Sequence, residues 1–266
     1  PPTVPAMYLA NGLADFTVEY ENYLASAVGP AGPATLSEDP PTPNMIVDDF
    51  LDGVFGYVWD AENYPQYGNL ADVITFDEAT TPGLLGVDYD DIGGSEQTNL
   101  VLHRDFELVP GSSVQVDVSI TAGETTPLVL AGLGLATVSS GIDQDRSNVV
   151  FYAVRNDGLV RGNFYGEAGA EIGDVAPTLP GYTLGDVVSL AIYRVDDTTY
   201  GFFMAYNGGA WSLVGSMGYG APHTPPNRLG LYLATGLRDF TAEFSNFEGY
   251  NLVLPPNAVQ MWWAFE

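Results

Sequence analysis

Short runs in which apolar and polar residues alternate fill the chain between residues 45 and 250. In SVQVDVSI, residues 113–120, three valines and an isoleucine occupy every second position, with polar residues between them. Successive side chains of a strand point to opposite faces, so this run predicts a strand that buries one face. Seven further runs of similar texture cover residues 100–108, 128–138, 148–156, 187–195, 199–207, 228–235 and 240–250.

The residues between these runs predict how the strands are arranged. Gly, Asp, Asn and Pro recur there at a spacing of roughly 8–12 residues, which is typical of an antiparallel sandwich or jelly roll. No segment with helical periodicity lies between the runs. A parallel sheet needs crossover connections, usually helices, so the pattern favours an all-β fold over an α/β fold.

The two ends of the chain differ from this central part. Apolar residues at spacings of three and four predict one amphipathic helix, which begins after Asn11 and ends at Gly29, and a Pro-rich arm follows it. After Pro255 and Pro256, the last residues are rich in large apolar side chains. We therefore expect a helix-bearing arm over residues 1–45, a sandwich over 46–250 and an aromatic tail over 251–266. The helix rests on Leu13, Phe16, Tyr20, Leu24 and Val28.

Charge narrows the range of partners. The chain has 34 acidic and 7 basic residues and a formal net charge of -27. Such a charge repels phosphate backbones and anionic lipid headgroups, so we expect neither nucleic acid nor a membrane surface as a partner. The chain has no cysteine, which excludes disulfides, thiol nucleophiles and thiolate metal sites. Neither a run of about 20 apolar residues nor the basic start of a signal peptide is present.

The order of features in the C-terminal half is more specific. An apolar strand VSLAIYRV, a polar turn, the strand GFFMAY, the turn NGGA and the strand WSLVGS follow one another, before RLGLYLATG and TAEFSNFEGY. This order resembles the concanavalin A-like lectin/glucanase jelly roll, the group that includes laminin-G-type carbohydrate-binding modules. DDFLDGVFGYVWDAEN, residues 48–63, is similar to the opening of such modules. The resemblance covers residues 46–250 and implies an antiparallel jelly-roll β-sandwich.

Carbohydrate binding needs an aromatic face that stacks on a sugar and polar side chains that hold its hydroxyls. Two stretches offer both, the turn at residues 206–211 and the strand at residues 148–156. The turn has a competing interpretation, because Asn-Gly-Gly is a strong hairpin signal and Trp211 would then pack over the end of the sandwich. The candidate glycan-binding residues are Trp211, Tyr206, Asn207, Tyr152, Arg155 and Asn156.

The sequence argues against an enzyme. The resemblance implies that a glucanase of this fold would carry an E-x-D-x-E-like strand, whose carboxylates supply the nucleophile and the general acid. The nearest stretch is EAGAE, in which Gly169 stands between Glu167 and Glu171 where the middle acid should be. The two histidines, His103 and His223, accompany no G-x-S-x-G motif. We predict no catalytic residues.

No cofactor is predicted, although calcium stays open as an alternative. Oxygen ligands in a loop suit Ca²⁺, and several lectins of the resembled fold bind it. The turn GIDQDRSN supplies Asp143, Asp145 and Asn148, and neither it nor the stretch VDYDD at residues 87–91 matches an EF-hand loop. The competing interpretation is that these side chains cap turns.

The tail residues Met261, Trp262, Trp263 and Phe265 are candidate assembly contacts. A monomer rarely exposes so many large apolar groups together, so they either fold back onto the sandwich or dock into another subunit. Modules of the resembled kind occur in extracellular bacterial proteins and in tailed-phage structural proteins. The leading prediction is therefore a non-enzymatic structural or decoration component of a virion or other extracellular assembly, with other subunits and surface glycans as partners. A free-standing carbohydrate-binding module is the alternative, and a glycoside hydrolase is less favoured.

Overall fold

The computed structural model describes residues 45–48, 50–51, 59–60, 73–91, 97–103, 108–123, 129–136, 149–165, 171–218, 228–235 and 238–250. These residues form fifteen strands. The strands are β1 (Met45–Asp48), β2 (Trp59–Asp60), β3 (Val73–Asp77), β4 (Leu85–Asp90), β5 (Gln97–His103), β6 (Ser112–Gly123), β7 (Leu130–Ala136), β8 (Val149–Arg155), β9 (Val160–Tyr165), β10 (Glu171–Val175), β11 (Val188–Arg194), β12 (Thr199–Tyr206), β13 (Ser212–Gly218), β14 (Arg228–Thr235) and β15 (Phe240–Tyr250).

The strands pair into two antiparallel sheets. One has eight strands in the order β13-β12-β11-β6-β15-β4-β3, with β1 also pairing β15, and the other has seven in the order β10-β9-β8-β7-β14-β5-β2. The predicted all-β antiparallel sandwich is confirmed. None of the described residues forms a helix that could cross a membrane. The predicted helix at residues 13–28, the Pro-rich arm and the aromatic tail lie outside the described residues.

The core lies between the two sheets. The alternation in β6 is confirmed, because Val114, Val116, Val118 and Ile120 are all buried. The strands of the seven-stranded sheet contribute the opposite layer, in which the ring of Tyr152 packs edge-on against Phe202 with centroids 5.1 Å apart. Burying this many apolar side chains from both sheets is the main source of stability for such a sandwich.

The seven-stranded sheet also carries buried apolar side chains on its outer face. They come from alternate positions of β8 and β14, and the rings of Phe151 and Tyr232 stack at 4.2 Å with an angle of 4° between them. The strand β8 therefore buries both of its faces, which explains its nearly continuous apolar sequence VVFYAVR. We call this set the outer cluster, and it consists of Val149, Phe151, Ala153, Tyr232 and Ala234, with Leu130 packed against it.

Glycine lets β7 and β8 approach closely. A Cβ atom on Gly132 would collide with the carbonyl oxygen of Tyr152 and the Cα of Ala153 on the paired strand. Gly132, in the Gly-Leu-Gly stretch at residues 132–134, therefore serves close strand packing.

Arg194 is a charged residue in the interior, with an exposed fraction of 2%. Its Nη1 donates to the carbonyl oxygen of Leu108 at 2.6 Å, and its Nε donates to the carbonyl oxygen of Asp196 at 3.2 Å. The side chain thus joins the end of β11 to the segment that precedes β6.

Replacing Arg194 with Met should lower the free energy of unfolding by about 2 kcal/mol, because the carbonyl of Leu108 loses a charged donor and stays buried. Urea denaturation measures this change. The matched control is Arg238→Met, at an exposed residue, where we expect a change within about 0.5 kcal/mol. Equal effects in the two variants would contradict the role assigned to Arg194.

Candidate functional site

The stretch YNGGAW forms the hairpin that joins β12 to β13. Asn207 and Gly208 both have positive φ angles, 47° and 71°. Two successive residues of this kind make a tight turn whose twist matches that of the strands. The interpretation of this stretch as a hairpin is confirmed, and Trp211 follows the turn as a half-buried side chain.

Asp186 ties this hairpin to the loop of residues 176–187, which precedes β11. Its Oδ2 accepts hydrogen bonds from the hydroxyl of Tyr206 at 2.6 Å and from the backbone N–H of Thr183 at 2.7 Å. Its Oδ1 accepts a third, from Nδ2 of Asn207 at 3.1 Å. The bond from Tyr206 is the largest of the effects that lower the pKa of Asp186 to about 2.

Asn207 strengthens the same junction through its backbone and side chain. Its Oδ1 accepts a hydrogen bond from the N–H of Val187 at 3.0 Å, and its own N–H donates to the carbonyl oxygen of Val187 at 2.9 Å. Asn207, which the sequence analysis named as a candidate glycan-binding residue in a turn, therefore also fixes the position of the neighbouring loop.

Tyr182, in the same loop, lies over the turn between β8 and β9. Gly158 in that turn has a φ angle of 84°, and a Cβ atom added to it would come within 2.6 Å of the Cβ of Tyr182. Burial, followed by the negative charge of Asp186, raises the pKa of Tyr182 to about 12. Among the residues that the structure describes, the Tyr182 hydroxyl has no hydrogen-bond partner.

Arg155 and Asp157 form a two-point ion pair at the same turn. Nε of Arg155 donates to Oδ1 of Asp157 at 2.7 Å, and Nη2 donates to Oδ2 at 2.6 Å. These bonds are the largest cause of the lowered pKa of Asp157. The pairing holds the planar guanidinium group in one orientation.

These residues belong to one group, because Tyr182 lies against the turn that carries Asp157, and Asp186 of the same loop accepts hydrogen bonds from the β12–β13 hairpin. The sequence analysis named three of its members and missed Asp157, Tyr182 and Asp186. The Asp157-Gly158 and Gly185-Asp186 pairs carry turn signals, but a turn signal does not show which other turn lies beside it. We call the group the end cluster, and it consists of Arg155, Asp157, Tyr182, Asp186, Tyr206 and Asn207.

Two of the predicted glycan-binding residues are buried structural residues, so that part of the prediction is wrong. Tyr152 has an exposed fraction of 0% and lies in the core, where burial raises the pKa of its hydroxyl. Asn156 has an exposed fraction of 3%, and its Oδ1 accepts a hydrogen bond from the N–H of Val129 at 3.3 Å. Both sit on or beside β8, whose two faces are both buried, so strand position alone could not place them on the surface.

The calcium prediction is not settled by the structure. Asp143, Asp145 and Asn148 lie outside the described residues, as do Glu167 and His223. Asp88 and Asp90 are exposed positions of β4 rather than of a loop, and the N–H of Asp91 donates to Oδ1 of Asp239 at 2.9 Å. Within the described ranges, no group of three or more His, Asp or Glu side chains could hold a metal ion.

Comparison with known proteins shows a likeness of fold. No protein-family model matches the chain, and no curated protein matches it. One similar solved structure is associated with the endo-acting O-glycanases by which members of the human gut microbiota initiate mucin breakdown. It is 11% identical to this chain, with a TM-score of 0.52. The match covers 78% of this chain and 98% of that one.

Two further similar structures have lower scores. The exoplasmic/lumenal domain of VIP36, bound to Ca²⁺ and Man3GlcNAc, is 9% identical over 84% of this chain and 94% of that one, with a TM-score of 0.49. A Bacillus subtilis protein of unknown function with a galectin-like fold is 12% identical over 68% and 87%, with a TM-score of 0.42. At 11% identity, the likeness to the first of these structures concerns the fold of the β-sandwich alone.

Replacing Asp186 with Asn should weaken the junction between the hairpin and the loop. The pKa of Asp186 lies below the value of about 3.9 for an unfolded Asp. The carboxylate therefore stabilises the fold above pH ~4, and this contribution is lost as the pH falls towards about 2. We expect urea midpoints of the wild type to fall over this range more steeply than those of Asp186→Asn.

Asp196→Asn is the matched control, because Asp196 also accepts hydrogen bonds within a turn, from the N–H and hydroxyl of Thr198. Hydrogen exchange of residues 207–211 should speed up in Asp186→Asn and stay unchanged in Asp196→Asn. Unchanged exchange in both variants would show that Asp186 does not hold the hairpin.

Proposed function

We propose that this protein binds a carbohydrate at the end cluster and does not hydrolyse it. The observation that carries the proposal is that two half-buried tyrosines, Tyr182 and Tyr206, meet fixed polar groups at one end of the sandwich. Trp211, which is also half-buried, follows on the same hairpin as Tyr206. The apolar face of a sugar packs against aromatic rings, and a few directed hydrogen bonds then select among sugars.

The polar groups of the cluster are held in place before any ligand arrives. Arg155 uses two of its N–H donors on Asp157, and the guanidinium group has five in all. Its other donors are the groups that we assign to sugar hydroxyls. Because these side chains are already ordered, binding costs little further conformational entropy.

The electrostatics of the cluster support binding without hydrolysis. A glycosidase needs one carboxyl group with a raised pKa as general acid and a second that is ionised. The pKa values of Asp157 and Asp186 are both lowered by the hydrogen bonds that they accept. Neither can supply a proton near neutral pH, so the pair lacks the acid that hydrolysis requires.

The predicted assembly role stays a prediction. It rests on Met261, Trp262, Trp263 and Phe265, which lie outside the described residues. A location on a virion is likewise a prediction. The binding of surface glycans, which we propose here, requires only that the end cluster faces the outside of a cell or particle.

A glycan array probed with the full chain tests the proposal. Trp211→Ala and Arg155→Lys should each weaken binding by about tenfold or more, which corresponds to about 1.4 kcal/mol. Arg155→Lys keeps the charge but loses the planar two-point geometry. Leu213→Ala is the control, because Leu213 is an exposed apolar residue, 51% exposed, on the same hairpin, and we expect no change.

Two results would contradict the proposal. Absence of binding to every glycan would exclude a carbohydrate-binding function for the chain. Release of new reducing ends from a bound polysaccharide would show that the protein is a hydrolase.

A further inference from the structure

The end cluster holds more negative than positive charge. Among its six described residues, Arg155 is the one cation, whereas Asp157 and Asp186 are anions. The hydrogen bonds that these two carboxyl groups accept lower their pKa values, so both are ionised near neutral pH. Their charges reach Tyr182, whose pKa is raised first by burial, then by Asp186, with Asp157 among the smaller causes. A ligand that enters the cluster therefore meets an excess of negative charge.

Several hydrogen-bond donors of the cluster are bound to its own carboxylates. Arg155 gives two of its five N–H groups to Asp157, at 2.7 and 2.6 Å. Tyr206 donates its hydroxyl proton to Asp186 at 2.6 Å, and Nδ2 of Asn207 donates to the same carboxylate at 3.1 Å. Donors that would otherwise neutralise an acidic group on a sugar are thus already held by negative charge. The remaining N–H groups of Arg155 suit uncharged hydroxyls.

Asp157 controls how the charge of Arg155 is used. The two side chains are joined by two hydrogen bonds, and both contact solvent, with exposed fractions of 24% for Arg155 and 38% for Asp157. An arginine without such a partner binds carboxylate groups strongly, because its planar guanidinium group meets two oxygen atoms at once. With Asp157 in place, this position is occupied by a carboxylate of the protein itself.

We propose that the end cluster selects uncharged glycans and excludes acidic ones, and that Asp157 sets this selectivity by occupying Arg155. The inference rests on the proposed carbohydrate-binding function and names the class of glycan that the same site accepts. Specificity arises from unfavourable charges placed against the wrong ligand as well as from contacts to the right one. The net charge of -27 acts in the same direction, because it repels an acidic glycan at long range.

Matched pairs of glycans test the inference with the full chain. Each uncharged glycan that the chain binds is compared with the same glycan whose terminal hexose is a uronic acid, in which a carboxylate replaces the primary alcohol. The uncharged member should bind about tenfold more tightly or better, because like charges brought together in an interface are costly. This affinity ratio should shrink between about 0.01 M and about 1 M salt, as the screening length falls from about 30 Å to about 3 Å.

Asp157→Asn tests whether Asp157 sets the selectivity. The amide keeps the shape of the side chain but removes its charge, which frees the guanidinium group of Arg155 for the uronic acid. The affinity ratio should therefore fall by about fivefold or more.

Asp196→Asn is the matched control, because it changes the net charge of the chain by the same amount. Asp186 precedes β11 and Asp196 follows it, and this strand spans roughly 20 Å. Salt screens the charge of Asp196 over that distance, since the screening length at physiological salt is about 8 Å. The affinity ratio of Asp196→Asn should equal that of the wild type.

The failure of this inference is distinguishable from the failure of the proposed function. Equal or tighter binding of the uronic acid by the wild type, or an affinity ratio that does not depend on salt, would overturn the exclusion of acidic glycans by charge. An unchanged ratio in Asp157→Asn, or an equal change in Asp196→Asn, would overturn the role of Asp157. These results would leave glycan binding intact, whereas absence of binding to every glycan would overturn the proposed function and this inference together.

Discussion

The pairing of β15 with its three neighbours is the interaction on which the rest of the sandwich depends. One side of β15 pairs with β6, and the other pairs with β4 and then with β1. The last strand of the described chain thus lies in the middle of the eight-stranded sheet, between strands that precede it by more than a hundred residues. Such long-range pairing carries a loop-closure entropy cost, because the paired strands are far apart along the chain.

The polar end of the sandwich depends on this frame. Residues of the end cluster come from the β8–β9 turn of one sheet and the β12–β13 hairpin of the other, and the loop at 176–187 joins them through Tyr182 and Asp186. Hydrogen bonds from Tyr206 and Asn207 keep Asp186 ionised. The hydrogen bonds that hold the cluster in place also lower the pKa values of Asp157 and Asp186, so both carboxyl groups are ionised near neutral pH and have no proton to donate. Ordered polar side chains suit the carbohydrate binding that we propose, because binding then costs little conformational entropy.

The seven-stranded sheet buries apolar side chains on both of its faces, whereas many antiparallel sheets leave one face exposed to solvent. Phe151 and Tyr232 are as buried on the outer face as core residues are between the sheets. Burying an amide such as that of Asn163 in apolar surroundings costs free energy unless the amide is hydrogen-bonded.

Much of the fold was predictable from local pattern, because alternation depends only on which residues stand next to one another. The run at residues 113–120 became β6, the stretch at residues 206–211 became a hairpin, and the all-β class followed from these signals. The resemblance to lectin-like jelly rolls extended the prediction to the sandwich.

The site was predictable only in part. Arg155, Tyr206 and Asn207 were identified by residue type, but Tyr152 was misplaced because a strand that is apolar at nearly every position gives no sign of which face meets solvent. Asp157, Tyr182 and Asp186 become neighbours only through strand register and loop packing. Local sequence determines which residues form strands and turns, whereas the long-range pairing of the two sheets decides which turns meet and which side chains they bring together.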